Sequence, residues 1–219
     1  MILVVFDIDG TVVDSQHMIV AAQAEAFAAV GLPAPGRERA LSVVGLSLAQ
    51  AFTALVGPDG PVADLAEAYK GAFSRLRAEA AIREPLFPGA ADLIARLHAG
   101  PGAVLGIATG KSRRGVDHLI ATHGWDGWFA TIQTADDAPS KPHPAMLEQA
   151  MAETGSSPAD TVMIGDSTYD MAMARAAGVT ALGVAWGYHT PEALLAAGAD
   201  RMVASYAELE RVLVERGAA

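Results

Sequence analysis

The stretch that most constrains this chain is Asp7-Ile8-Asp9-Gly10-Thr11, which follows directly on the apolar run Ile2-Leu3-Val4-Val5-Phe6. A short, continuous run rich in β-branched residues reads as a strand buried on both faces, as in a parallel sheet. Two carboxylates therefore stand at the carboxyl end of a buried strand, where open α/β sheets bind their ligands. Residues two apart in a strand point the same way, so Asp7 and Asp9 are expected to face one cavity. Like charges gathered in a cavity are costly unless a cation or a proton joins them. The stretch thus points to a hard divalent cation or to acid/base chemistry. Asp and Gly are also ordinary turn residues, so its meaning depends on what converges with it.

Two further apolar runs repeat the arrangement. Ala103-Val104-Leu105-Gly106-Ile107 ends in Ala108-Thr109-Gly110-Lys111, and Thr161-Val162-Met163-Ile164 ends in Gly165-Asp166-Ser167-Thr168-Tyr169-Asp170. Further strands are expected at Ala130-Thr131-Ile132 and from Thr180 to Val184. Helices are expected over Ala90 to His98, Ser112 to His123, up to about Glu153, and Ala204 to Arg216. Strands alternating with helices predict an α/β fold with a doubly wound parallel sheet. Between Asp14 and Glu84 no strand signal occurs. Helical patterns run roughly from Gln16 to Val30, Arg37 to Val44, Leu48 to Leu55 and Val62 to Glu79, so this part reads as an all-helical insert. Asp14 or Ser15 is expected to cap the first of these helices. Trp125, Trp128 and Phe129 read as core.

Composition removes several classes of function. The chain has 219 residues, 52% hydrophobic and 18% charged, enough for one large domain or a core with a smaller insert. Its net charge is -10, from 15 basic and 25 acidic side chains, with no basic run. Nucleic acid and anionic membranes are therefore poor partners. With no cysteine there are no disulfides, thiolate metal sites or Cys nucleophiles, a pattern compatible with a cytoplasmic protein. No apolar stretch is long enough to span a bilayer, and the N-terminal run is broken by Asp7 and lacks the basic start of a signal peptide.

In a parallel sheet the polar strand ends lie on one edge, and Lys141, in the loop from Asp136 to Pro144, can reach it. The converging parts are the carboxylates of Asp7, Asp9, Asp166 and Asp170, the hydroxyl of Thr109 with the free N–H groups around Gly110, and the ammonium of Lys141. These suit phosphoryl transfer, where catalysis is mostly positioning and charge stabilisation. A carboxylate can attack phosphorus, magnesium prefers a few carboxylates plus phosphate oxygens, helix starts hold phosphate, and Lys supplies a point charge. Taken singly, Asp166 reads as a helix cap, Asp170 as a first-turn acid and Lys141 as a solvated loop residue. His17, His118 and His143 are scattered and read as surface residues.

Taken together, Asp7-Ile8-Asp9-Gly10-Thr11-Val12-Val13-Asp14-Ser15, Thr109, Lys141-Pro142 and Gly165-Asp166-Ser167-Thr168-Tyr169-Asp170 form an ordered set of four motifs. By them the chain resembles the haloacid dehalogenase (HAD) superfamily, in its phosphatase branch, near the phosphoglycolate phosphatase-like enzymes. The resemblance implies a Rossmann-like core made of residues 1–14 and 85–219 and a helical cap made of residues 15–84. It implies Asp7 as nucleophile and Asp9 as general acid/base. Magnesium would be held by Asp7, the backbone carbonyl of Asp9 and Asp166, with Asp170 acting through water or by orienting the site. Thr109, Gly110 and Lys141 would hold the transferring phosphoryl group. The implied activity is magnesium-dependent hydrolysis of a small phosphomonoester metabolite, phosphoglycolate-like or a sugar phosphate, through an aspartyl-phosphate, by a monomer or homodimer. A phosphomutase also keeps both Asp residues and stays open as an alternative. A 2-haloacid dehalogenase needs neither the metal nor Asp9. A phosphonate-cleaving relative uses a cap Lys, for which Lys70 is the only clear Lys in the insert. A silent binding protein is disfavoured because every catalytic position is filled. Gly45-Leu46-Ser47 is expected to face the site from the cap, and its lack of charge argues against a heavily charged leaving group.

Overall fold

The structure, a computed structural model, describes residues 1–79 and 84–218. Strand β1 (Ile2–Phe6) is buried at every position, as its unbroken apolar run requires. Helices α1 (Gln16–Ala29), α2 (Arg37–Leu41), α3 (Leu48–Val56) and α4 (Val62–Ala78) follow with no strand among them. The chain then alternates through α5 (Ala90–Ala99), β2 (Ala103–Ala108), α6 (Arg113–His123), β3 (Thr131–Gln133), α7 (Ala145–Thr154), β4 (Thr161–Gly165), α8 (Thr168–Ala177), β5 (Thr180–Val184), α9 (Pro191–Ala197), β6 (Arg201–Val203) and α10 (Tyr206–Glu215). All strand pairs are parallel, in the order β3-β2-β1-β4-β5-β6. The first strand is thus central, with Val4 opposite Leu105 on one side and Val162 on the other.

Alternation along β1 divides the core between two layers of helices. Ile2, Val4 and Phe6 pack with Leu93, Val116 and Leu209 from α5, α6 and α10. Leu3 and Val5 pack with Leu147, Met171 and Leu194 from α7, α8 and α9. Trp125 and Phe129 lie in the first layer, as their size and apolarity led one to expect. The doubly wound α/β architecture expected from the sequence is the one observed. Two elements, α9 and β6, were not anticipated, and β3 lies one residue later than expected.

Helices α1, α3 and α4 form apolar clusters of their own. Met18 and Ala22 of α1 meet Ala72 and Leu76 of α4, while Ala26, Phe27, Phe52 and Leu65 make a second cluster. Burying a side chain such as Phe27 or Leu65 stabilises by about 1.5–3 kcal/mol. The chain leaves the core beside its return point: Val13 bridges Leu86, and the Asp14 N–H donates to the Pro85 carbonyl at 2.8 Å. The end of the expected 15–84 insert crosses residues 80–83, which lie outside the described residues.

Candidate active site

Strand geometry stops at Phe6, and the turn after it sends the two carboxylates of the first motif apart. The Asp7 N–H still pairs with the Ile164 carbonyl, at 2.9 Å. The Thr11, Val12 and Val13 N–H groups then all fold back on the Ile8 carbonyl, at 3.2, 2.8 and 2.9 Å. Gly10, at φ +85°, makes this possible: that conformation disfavours side chains, and a Cβ there would run into the Asp166 carboxylate. The two-residue alternation that placed Asp7 and Asp9 in one cavity therefore does not carry through. Asp7 points into the centre of the strand edge, and Asp9 is held by a different set of partners.

Asp7 is 1% exposed. Its Oδ1 accepts from the Ile8 N–H at 2.7 Å, while its buried Oδ2 accepts no directed hydrogen bond. The Lys141 Nζ stands 3.1 Å from that Oδ2 and donates to Asp170 Oδ1 at 2.6 Å, with all three side chains buried. Asp170 Oδ2 accepts from the Ser167 N–H (3.0 Å) and hydroxyl (2.6 Å), the capping box that starts α8. Both oxygens of Asp170 are thereby committed. Asp166 Oδ1 accepts from the Thr11 hydroxyl at 3.0 Å, and its Oδ2 from the Tyr188 N–H at 2.8 Å. Thr11 is fixed in turn by Trp186 Nε1 (3.0 Å) and the Tyr206 hydroxyl (2.8 Å), which both donate to its carbonyl.

Asp7, Asp166 and Asp170 bring carboxylate oxygens within 4.8 Å of one another, against the one ammonium of Lys141. Burial pushes Asp7 up to about 7 despite Lys141, and Asp170 adds repulsion. Burial, then Asp170 and Asp7, raise Asp166 well above the ordinary carboxylate range. Burial opposes the charge on Lys141, but Asp170 and Asp7 outweigh it and hold the ammonium above its usual pKa. The group has an excess of negative charge, only hard oxygen donors and one unbonded buried oxygen, a set that fits a divalent cation such as magnesium.

Thr109 is buried; its hydroxyl accepts from the Lys111 N–H at 3.3 Å, and its presence beside Asp7 helps hold that carboxyl down. Gly110 lies directly beneath the insert: a Cβ on it would come within 2.5 Å of the Gly45 carbonyl oxygen and 2.7 Å of that of Leu46. The Ser47 N–H donates to the Ser140 hydroxyl at 2.8 Å, and the Tyr169 hydroxyl to the Ser42 carbonyl at 3.0 Å. The Gly45-Leu46-Ser47 loop thus lies over the strand-end cluster, as expected. Lys70 is exposed on α4, and His17, His118 and His143 are exposed.

Asp9 is where sequence reasoning was least complete. Its Oδ1 accepts from the Ser15 hydroxyl (2.7 Å) and Lys111 Nζ (2.8 Å), and its Oδ2 lies 3.0 Å from the same nitrogen. Ser15 does occupy the N-cap of α1, but its hydroxyl makes no capping bond; it is spent on Asp9. The Ser15 N–H donates to the Tyr188 hydroxyl at 3.0 Å. Lys111, Thr11 and Tyr188 were given no role from sequence, and Ser15 only that of a helix cap. Lys111 and Tyr188 both follow strand ends, β2 and β5, the same signal that singled out Thr109 and Asp166.

Residues 4–184 match the family model described as haloacid dehalogenase-like hydrolase. The chain belongs to that family. A protein named "Probable phosphatase IndB" from Dickeya dadantii is 36% identical over 213 residues, covering 94% of this chain and 91% of the relative. A phosphoglycolate phosphatase from Salmonella paratyphi A is 31% identical over 227 residues, covering 94% and 90%. A crystal structure of a hydrolase from Pseudomonas syringae superposes with a TM-score of 0.86 at 27% identity, covering 98% of this chain and 99% of that one. The chain is a phosphoglycolate phosphatase-like hydrolase of the HAD family, and among its described residues no helix is long and apolar enough to cross a membrane.

Proposed function

We propose that this hydrolase cleaves small phosphomonoesters through an aspartyl-phosphate formed on Asp7, with magnesium as cofactor. The observation that carries the reading is the buried Asp7 Oδ2, unbonded, 3.1 Å from the Lys141 ammonium and beside two further carboxylates. A nucleophile needs a free lone pair, and a carboxylate beside a lysine and a cation site can meet a phosphoryl group without prohibitive repulsion.

Asp7 Oδ2 attacks phosphorus while the bond from phosphorus to the ester oxygen breaks. The electron pair goes to that oxygen, which takes a proton from Asp9. Water then attacks the phosphorus of the acyl phosphate and gives its proton to Asp9. The bond from phosphorus to Asp7 breaks and the carboxylate is restored. Thr109, the N–H groups at Gly110 and Lys141 hold the transferring oxygens. Asp7, the Asp9 carbonyl and Asp166, with Asp170 orienting the cluster, would hold magnesium, which would offset negative charge on the phosphoryl oxygens. Lys111 and Ser15 orient the Asp9 carboxylate, which keeps it off the metal cluster and directed at the leaving group. Because Asp7 is covered, substrate entry requires residues 15–84, acting as a cap, to lift and re-close, which also excludes bulk water during transfer.

Hydrolysis of an aryl phosphate, measured with chelator and after adding magnesium back, tests the reading. Activity is expected to vanish with chelator and return with the metal. Full activity in metal-free buffer refutes it.

A further inference from the structure

Tyr188, in the loop after β5, touches both halves of the site. Three consecutive residues fix that loop. Trp186 Nε1 donates to the Thr11 carbonyl at 3.0 Å. Gly187 presses on Asp166: a Cβ on it would come within 2.0 Å of the Asp166 Cβ. The Tyr188 N–H then reaches Asp166 Oδ2 at 2.8 Å. With its backbone pinned to the carboxylate cluster, the Tyr188 side chain crosses to the start of the insert. There its hydroxyl accepts from the N–H of the buried Ser15 at 3.0 Å and lies 3.3 Å from Ser15 Oγ. Among the described residues the Tyr188 hydroxyl meets no other hydrogen-bonding group.

The hydrogens along this path have one consistent order. A serine hydroxyl carries one hydrogen, and an ionised carboxylate only accepts. Ser15 gives its hydrogen to Asp9 Oδ1, 2.7 Å away. Burial and the charge of Asp9 keep the Tyr188 phenol protonated, so its hydrogen goes to Ser15 Oγ. Tyr188, Ser15 and Asp9 thus form a directed chain in which each donor strengthens the next. The chain breaks a symmetry that Lys111 leaves. Lys111 Nζ lies 2.8 and 3.0 Å from the two Asp9 oxygens and hardly distinguishes them. The Ser15 hydroxyl falls on Oδ1 alone, so Oδ2 keeps the freer lone pair for proton transfer.

We infer that Tyr188 is a positioning residue for the second half-reaction: through Ser15 it holds Asp9 so that Oδ2 meets the water that hydrolyses the aspartyl-phosphate. In that step the water oxygen bonds to phosphorus and the bond from phosphorus to Asp7 breaks. Its electron pair returns to the Asp7 carboxylate, and the proton of the water goes to Asp9 Oδ2. The inference rests on the phosphatase reading above and adds a residue to its mechanism. The same oxygen protonates an alkyl leaving group in the first half-reaction, whereas an aryl leaving group needs little protonation. Because Ser15 stands at the N-cap of α1, Asp9 is aligned only while the first helix of the insert is seated on the core.

The test follows the acid-quenched phosphoenzyme formed from an aryl phosphate in magnesium-loaded wild type, Tyr188→Phe, Ser15→Ala and the double variant. Tyr188→Phe keeps the ring and the backbone N–H on Asp166. It is expected to slow decay of the phosphoenzyme about tenfold, the range of a lost hydrogen bond with misalignment, and to change its formation by less than about twofold. Once decay limits turnover, kcat and KM for the aryl phosphate fall together, while kcat/KM falls only for an alkyl phosphate. The rise in Tm on adding magnesium should match that of the wild type, since the Asp166 contact is retained. Adding Tyr188→Phe to Ser15→Ala should slow decay no further. Unchanged decay, or an equal loss in formation and decay, overturns the inference. So does a double variant slowed by the product of the two factors, because Tyr188 would then not act through Ser15. A lost magnesium shift overturns it too, since Tyr188 would then serve Asp166. If Tyr188→Phe does not fold, Ser15→Ala decides: it should show the same split between formation and decay, and decay at the wild-type rate refutes the claim. A wild type that hydrolyses no aryl phosphate with magnesium defeats the phosphatase reading itself, an outcome distinct from unslowed decay.

Discussion

Replacing Lys141 by Met should destabilise the metal-free protein by an amount that depends strongly on pH. Among the described residues Lys141 is the one cation in contact with Asp7 and Asp170, at 3.1 and 2.6 Å, and all three are buried. At an effective dielectric of about 20, each contact is worth roughly 5–6 kcal/mol of gross attraction, and desolvation of the ammonium cancels several of these. Removing one member of a buried pair typically costs about 3–5 kcal/mol, because the remaining charge is left uncompensated. Protonation limits that cost. Asp7 already lies at about 7 in the folded protein, above its ordinary value of 3.8, and Lys141 is the main influence holding it down. A carboxylate whose folded pKa is raised loses stability as pH climbs from the unfolded pKa through the folded one. Without Lys141 the folded pKa of Asp7 rises further, so this loss extends to higher pH. Near pH 5, where Asp7 is protonated in both proteins, Lys141→Met should cost only about 1 kcal/mol, and near pH 8 about 3–4 kcal/mol. Urea unfolding with chelator at both pH values measures the difference. The higher figure corresponds to a fall in Tm of roughly 6–16 °C for a chain of this size. Equal destabilisation at the two pH values, or none at pH 8, would refute the account of Lys141 as the counter-charge of the cluster.

Magnesium should raise Tm more near pH 8 than near pH 5.5, because the cation needs the ionised form of carboxylates whose pKa values are raised, Asp7 and Asp166. Equal shifts at the two pH values would mean that the metal binds elsewhere. Gly110→Ala should cost about 1–3 kcal/mol, since a Cβ collides with the Gly45 and Leu46 backbone and the loop must move, and lower kcat/KM about tenfold or more by spoiling closure. Thermal melts together with steady-state kinetics check both halves, and unchanged kinetics would show that the loop does not close in this register during turnover.

What could be read from the sequence follows from the length of its signals. The five-residue run before Asp7 is long, apolar and β-branched, and it marked the central strand. The strand ends at Thr109 and Asp166 marked the site edge for the same reason. Strand β6 carries an exposed Arg201, a half-buried Met202 and a buried Val203, too short for any period to show. The preceding α9 is only seven residues long. Within the site, the tight turn on the Ile8 carbonyl separates Asp7 from Asp9, and a two-residue alternation cannot foresee that separation. Ser15 was legible as an N-cap by position, but not as the partner of Asp9, because its hydroxyl donates to a carboxylate six residues back and accepts from no N–H of the helix start. Contacts such as Lys111 with Asp9, or Tyr188 with Ser15, join distant segments. They arise from how the loops at the sheet edge meet, which only three-dimensional packing decides.

The central claim is that Asp7 carries the phosphoryl group while Asp9 moves protons. Asp9→Asn keeps the nucleophile and the backbone carbonyl, but removes the base that activates water for the second half-reaction. With an aryl phosphate, whose leaving group needs little protonation, this variant should accumulate an acid-stable, hydroxylamine-sensitive phosphoprotein. Intact-protein mass spectrometry should show a single added phosphoryl group that peptide mapping assigns to Asp7, and Asp7→Asn should show neither turnover nor label. An adduct on any other residue, or turnover retained by Asp7→Asn, would contradict the account.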